Sequence, residues 1–167
     1  SSSEVHVVYT ARDLARQVPA AWQESIKQGR TWSYRRFLDR MVQNKTWFGR
    51  AFDVPRVLGT WGAGLPPERV HVVTIPQSTD DRRHGDALWE RMCSVLGIDL
   101  SWAPLDSDRS NQSLGRSETQ VIRQLNKRMR RVARHEGAYD ELIRNLLDQG
   151  ELVRRESAAV RLPPDRF

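Results

Sequence analysis

Two β-branched runs, roughly sixty positions apart, constrain this chain more than any other feature of its sequence. Val5-His6-Val7-Val8-Tyr9-Thr10 and Val70-His71-Val72-Val73-Thr74-Ile75 have almost no polar alternation, the pattern of strands buried on both faces. The residues between and after them repeat with helical period. Strands separated by helices predict an α/β chain with a parallel sheet, because parallel neighbours need a long crossover. Sheets ordinarily hold about four to six strands. Two strands in 167 residues therefore predict a partial parallel sheet flanked by helices, in one helix-rich domain over residues 1–167. The chain enters a buried strand after only a few residues, so a fragment, or a domain completed by strands upstream of Val5, is the expected reading.

The helices can be placed from their spacing and caps. Leu14, Val18, Ala21, Trp22, Ser25 and Ile26 share one face of a helix ending near Lys27, and Pro19 suggests that its regular part begins only near Gln17. Ser33 is positioned to cap a helix reaching Gln43, with Phe37, Leu38, Met41 and Val42 inward. Asp53 is placed to cap Val54–Trp61, where Pro55 fits the first turn. Trp47, Phe48, Phe52 and Trp61 are expected to pack in an aromatic-rich helical cap. Gly62-Ala63-Gly64-Leu65-Pro66-Pro67 is a loop, Pro76 to Gly85 a polar loop, and Asp86 to Leu96 a helix stopped by Gly97. Ser117-Glu118-Thr119-Gln120 reads as a capping box opening a helix whose inner side is Val121, Leu125, Met129 and Val132. Tyr139 to Gln149 reads as a last helix, and residues 151–167 as an extended tail.

Composition excludes several classes. No apolar run is long enough to cross a bilayer. The single cysteine, Cys93, forms no internal disulfide, which points to a reducing, cytoplasmic setting. The four histidines and Cys93 show no metal-ligand spacing, so no metal is expected. The net charge is +6, and 24 of the 27 basic residues are arginine. Guanidinium suits a phosphate or sulfate ligand, and a GC-rich coding sequence produces the same bias. Arg123, Lys127, Arg128, Arg130, Arg131 and Arg134 make a basic helical stretch with no accompanying nucleic-acid-binding motif. It reads as a solvated face, and nucleic acid is not an expected partner.

In parallel α/β sheets ligands gather where strands end and helices begin. Arg12, Asp13 and Arg16 hold that position after the first strand, where a phosphate or sulfate could be bound or where local ion pairs could form. Here the residues resemble a family. Val8-Tyr9-Thr10-Ala11-Arg12-Asp13-Leu14-Ala15-Arg16-Gln17-Val18-Pro19-Ala20 is similar to the 3′-phosphate-binding segment of sulfotransferases. Tyr9 to Gln23 resembles actinobacterial sulfotransferase-like proteins, as does Trp61-Gly62-Ala63-Gly64-Leu65-Pro66-Pro67-Glu68-Arg69-Val70-His71-Val72-Val73-Thr74. Leu88-Trp89-Glu90-Arg91, Leu96-Gly97-Ile98-Asp99 and Asn111-Gln112-Ser113-Leu114-Gly115 continue the likeness in the same order, over roughly residues 5 to 126.

The resemblance implies a nucleotide-kinase-like fold of the P-loop sulfotransferase type. It implies a cofactor, 3′-phosphoadenosine 5′-phosphosulfate, whose sulfuryl group moves to the hydroxyl or amine of a small-molecule acceptor. It places Arg12 on the cofactor's 3′-phosphate, with Asp13 beside it. Leu14 stands where the family has proline and Ala20 where it has serine. Arg16 or Gln23, expected on the same exposed side of the helix's first turns, could replace the missing hydroxyl. The family's 5′-phosphosulfate loop and acceptor-activating base both precede the Arg-containing strand, and His6 reads as a packed or paired residue rather than a base. The 167 residues alone are therefore expected to bind the nucleotide weakly and not to catalyse. The alternative is a non-catalytic nucleotide- or nucleic-acid-binding module with a degraded site. An unpaired sheet edge would favour self-association.

Overall fold

A computed structural model of the chain describes residues 4–77, 81–102, 114–129, 141 and 157–164, with side chains described from residue 87 onward in the helix that starts at residue 81. The elements in order are β1 (Val7–Ala11), α1 (Leu14–Lys27), α2 (Tyr34–Val42), α3 (Trp47–Ala51), α4 (Val54–Trp61), β2 (Val70–Thr74), α5 (Asp81–Leu96) and α6 (Arg116–Met129). Short 3-10 turns lie at Pro67–Arg69 and Leu100–Trp102. Internal contacts divide the chain into two units, one of Ser1–Asp13 and Asn44–Asp108, the other of Leu14–Gln43 and Arg109–Phe167. Among the described residues no helix is long and apolar enough to cross a membrane.

The first unit is the α/β part. Its β-branched runs form a parallel pair in which Val7 stands opposite Val70 and Ala11 opposite Thr74. The Ile75 amide donates to the Ala11 carbonyl at 2.7 Å, carrying the ladder one residue past β2. α4 packs on β1 and α5 on β2, and the Tyr9 hydroxyl ties β1 to the Ala51 carbonyl at 3.0 Å. Asp53 caps α4 as expected, accepting from the Arg56 amide at 3.2 Å, and Thr46 caps α3 through the Gly49 amide at 3.1 Å. The strands are less enclosed than their composition predicts. Val73 and Cys93 are buried, whereas Val72 is 47% exposed. Trp47 and Trp61 also face solvent, so only Phe48 and Phe52 of the expected aromatic cap are partly covered. α5 begins at Asp81, earlier than expected, and ends at Gly97, whose φ of +65° lets the Ile98 amide turn back to the Cys93 carbonyl.

The second unit holds most of the buried apolar side chains: Val18, Trp22, Ile26, Phe37, Leu38 and Ile122. Each large one contributes roughly 1.5–3 kcal/mol by leaving water. Ser33 caps α2 as its sequence requires, accepting from the Arg36 amide at 3.3 Å, and Val42 is exposed rather than inward. α1 is regular from Leu14, and Pro19 is accommodated inside it at the cost of one backbone donor. Gly29, at φ +83°, closes α1: the Gly29 amide donates to Ile26 and the Arg30 amide to Ser25.

α6 departs most from its sequence. Its buried face is Glu118, Thr119, Ile122 and Asn126, and Val121 is 56% exposed. Ser117 lies inside the helix rather than capping it. The first amides are met from the distal segment instead, Arg116 donating to the Ala158 carbonyl at 2.8 Å and Ser117 to the Ser157 hydroxyl at 3.2 Å. Ser157 donates in turn to the buried Glu118 carboxylate. Residues 157–163 are without regular structure, while Val132, nearly all of the 139–149 stretch and residues 151–156 and 165–167 lie outside the described residues.

Candidate functional site

Parallel pairing gives the first unit a defined carboxyl end. Ala11 and Thr74 are the last partners there, and Arg12 and Asp13 are the two residues between β1 and α1. Arg12 is exposed and Asp13 half-buried. From β2, the exposed Arg91 of α5 reaches the same end, its Nη1 donating to the Thr74 carbonyl at 2.5 Å and to the Thr74 hydroxyl at 2.6 Å. These bonds use one of the guanidinium's nitrogens and hold the planar group at the strand terminus. Beside it, Val73, Thr74, Glu90, Arg91, Ser94 and Val95 line much of a groove of about 390 Å³ between β2 and α5. Sequence reasoning placed no site role on Arg91; its only signal was its position in a helix following the second strand.

The four residues singled out from sequence fall in different units. Arg12 and Asp13 close the first segment of the α/β unit, and Arg16 and Gln23 belong to α1 in the helical unit. Arg12, Asp13 and Arg16 each engage a partner already, so an incoming anion exchanges with existing contacts. Gln23 is 7% exposed, which corrects the expectation of a surface position. Its amide donates to the Leu114 carbonyl and, at 3.4 Å, to the Thr119 hydroxyl, so it ties α1 to the start of α6. That burial follows from helical spacing: Gln23 lies beside Trp22 and Ile26 on the apolar side of α1.

Other sequence features are spent on structure. Arg123 donates to Gln120 at 2.8 Å and to the Thr31 carbonyl at 3.3 Å, which removes it from any open basic face. Lys127 and Arg128 are exposed, and Arg130, Arg131 and Arg134 lie outside the described residues. The loop containing Gly62 and Gly64 runs from α4 toward β2 and so reaches the strands' amino end. A phosphate cradle requires the opposite polarity, strand first and helix N-terminus second. Among the described residues no group of three or more metal-ligating side chains converges.

Ionisation is perturbed at two described positions. Burial pushes the Tyr34 phenol up to about 12. The Ser101 amide, at 2.9 Å, and the Ser101 hydroxyl hold the exposed Asp99 carboxylate below its ordinary range.

Comparison with protein-family models, curated proteins and solved structures finds no match.

Proposed function

We propose that this chain is sulfotransferase-like and recognises the 3′-phosphate of 3′-phosphoadenosine 5′-phosphosulfate through Arg12, within a nucleotide-kinase-like arrangement of the P-loop sulfotransferase type. The observation that carries the reading is the place of Arg12: an exposed guanidinium directly after the carboxyl end of β1, in a strand pair that is parallel. A 3′-phosphate carries two negative charges and three acceptor oxygens, and a guanidinium meets it with two parallel N–H bonds. AMP lacks that group, so Arg12 would distinguish the two nucleotides. Arg91, held at the same end by Thr74, adds positive charge there.

In the proposed reaction the sulfur–oxygen bond to the leaving phosphate breaks and a bond from sulfur to the acceptor oxygen or nitrogen forms. The acceptor's proton passes to a base. Positioned charge on the sulfuryl and leaving oxygens lowers such a barrier. His6 lies six residues before Arg12, roughly 20 Å along an extended chain, so it does not serve a nucleotide held at Arg12. Among the described residues no glycine-rich strand-to-helix loop is present, and the reading assigns them nucleotide recognition rather than the transfer step.

Calorimetry of the intact chain with 3′-phosphoadenosine 5′-phosphate and with AMP tests this. A charge-assisted contact is worth about 1.5–3 kcal/mol, so the bisphosphate should bind at least roughly tenfold more tightly. Equal affinities would overturn the assignment.

A further inference from the structure

His6 immediately precedes β1 and His71 is the second residue of β2, and the parallel register puts both on one face. His71 stands opposite Val8, and His6 precedes Val8 by two residues, so the two rings are diagonal neighbours. His6 Nδ1 lies 2.9 Å from His71 Nε2. The ring planes differ by only 11° and the centroids are 5.2 Å apart, a separation that places the rings edge to edge with these nitrogens facing.

The surroundings bias which nitrogen of His6 is bare. Glu4 Oε2 is 3.8 Å from His6 Nε2, and Arg69 Nη2 holds the other carboxylate oxygen at 2.8 Å. A carboxylate beside Nε2 favours the hydrogen on that atom, which leaves Nδ1 as a lone pair aimed at His71. In the metal-free pair His71 Nε2 then donates. The Nδ1 of His71 has no hydrogen-bond partner among the described residues, so the hydrogen can move there without breaking a bond. Both facing nitrogens then present lone pairs, with no net loss of a proton.

We propose that His6 and His71 form a two-imidazole site for a borderline divalent cation of the Cu²⁺, Ni²⁺ and Zn²⁺ class, with water in the remaining positions. Two nitrogens each about 2.05 Å from one ion and at right angles around it are roughly 2.9 Å apart, the spacing already present. Right-angled ligands suit the tetragonal geometry of Cu²⁺ and Ni²⁺ better than tetrahedral Zn²⁺. The facing nitrogens point at each other, so both rings turn off that line for their lone pairs to converge on an ion, and the 41% exposure of His6 leaves its ring room to do so. Glu4 is a positioning residue: it sets the tautomer of His6 and does not touch the metal. The site lies at the amino end of the strands, away from Arg12, and does not depend on the nucleotide reading.

Titration of the full, tag-free chain with NiCl₂ at about pH 7.5 tests the site. One Ni²⁺ per chain is expected, with affinity in the order Cu²⁺, Ni²⁺, Zn²⁺. His6→Ala and His71→Ala should each weaken binding at least about tenfold, and Glu4→Gln by about tenfold with a change in the His6 ring ¹⁵N shifts. A His84→Ala, His135→Ala double variant should bind as wild type. Should a variant fail to fold, Ni²⁺-induced broadening of imidazole NMR signals in the wild-type chain gives the same answer, with His6 and His71 broadening first. Absence of Ni²⁺ uptake, unchanged affinity in His6→Ala and His71→Ala, or broadening centred on His84 or His135 would each overturn the proposal.

Discussion

The side-chain amide of Asn126 donates to the Ile26 carbonyl at 2.7 Å, and the same nitrogen donates to the Arg30 carbonyl at 2.8 Å. One residue of α6 thus adds a second donor to the Ile26 carbonyl, which also accepts from the Gly29 amide, and supplies one to the Arg30 carbonyl just beyond α1. Asn126 is 1% exposed, and its bond to Ile26 is buried.

Replacing Asn126 with Ala removes both bonds, while the Ile26 carbonyl keeps the Gly29 amide and the carbonyl of the exposed Arg30 can turn to water. The expected loss is about 1–3 kcal/mol of unfolding free energy, read from urea denaturation monitored by tryptophan fluorescence. A loss below about 0.5 kcal/mol would show that these acceptors find other donors.

Tyr34 predicts a change of the opposite sign. Its hydroxyl is buried with no hydrogen-bond partner among the described residues, and it ionises near 12 instead of 10.0. The folded chain holds the phenolic proton more tightly than the unfolded chain. This contribution is therefore complete below pH 10 and is lost as pH rises from 10.0 toward about 12. Tyr34→Phe should raise stability by about 1 kcal/mol at neutral pH and flatten the alkaline limb of the stability profile. A less stable variant would contradict this account of the hydroxyl.

Gly115 predicts how the distal segment is held. A Cβ there would collide with the Ser157 hydroxyl and the Glu118 carboxylate, and would lie 2.9 Å from the Ser157 carbonyl. Side-chain oxygens can rotate away, whereas a backbone carbonyl moves only with its segment. Gly115→Ala should therefore release residues near Ser157 from α6, seen as faster limited proteolysis there and a cost of roughly 1–3 kcal/mol. Unchanged proteolysis would place the anchoring elsewhere.

These interactions also mark where the sequence stops being informative. The strands were legible because β-branched runs carry their own signal, and Ser33 and Asp53 were legible because an N-cap acts within three residues. The inner face of α6 was not. Apolar periodicity points to Val121 and Leu125, but Thr119 and Asn126 are the residues buried, because their partners come from elsewhere in the chain. Gln23 was misplaced for the same reason, its acceptor Leu114 being 91 positions away. His6 and His71, 65 residues apart, meet only through strand register, which no ligand-spacing pattern records. At the carboxyl end of the strands, the place of Arg12 directly after β1 was legible from the sequence pattern, while that of Arg91 needed the three-dimensional return of α5 to Thr74.

The central claim is that Arg12 reads the 3′-phosphate, and a thermodynamic cycle of two proteins and two nucleotides tests it most directly. Wild type and Arg12→Ala are each titrated with 3′-phosphoadenosine 5′-phosphate and with AMP, after matched melting curves confirm that both fold. The account predicts that the substitution weakens the bisphosphate at least roughly tenfold and leaves AMP unchanged. Equal weakening of both nucleotides, or of neither, would contradict it.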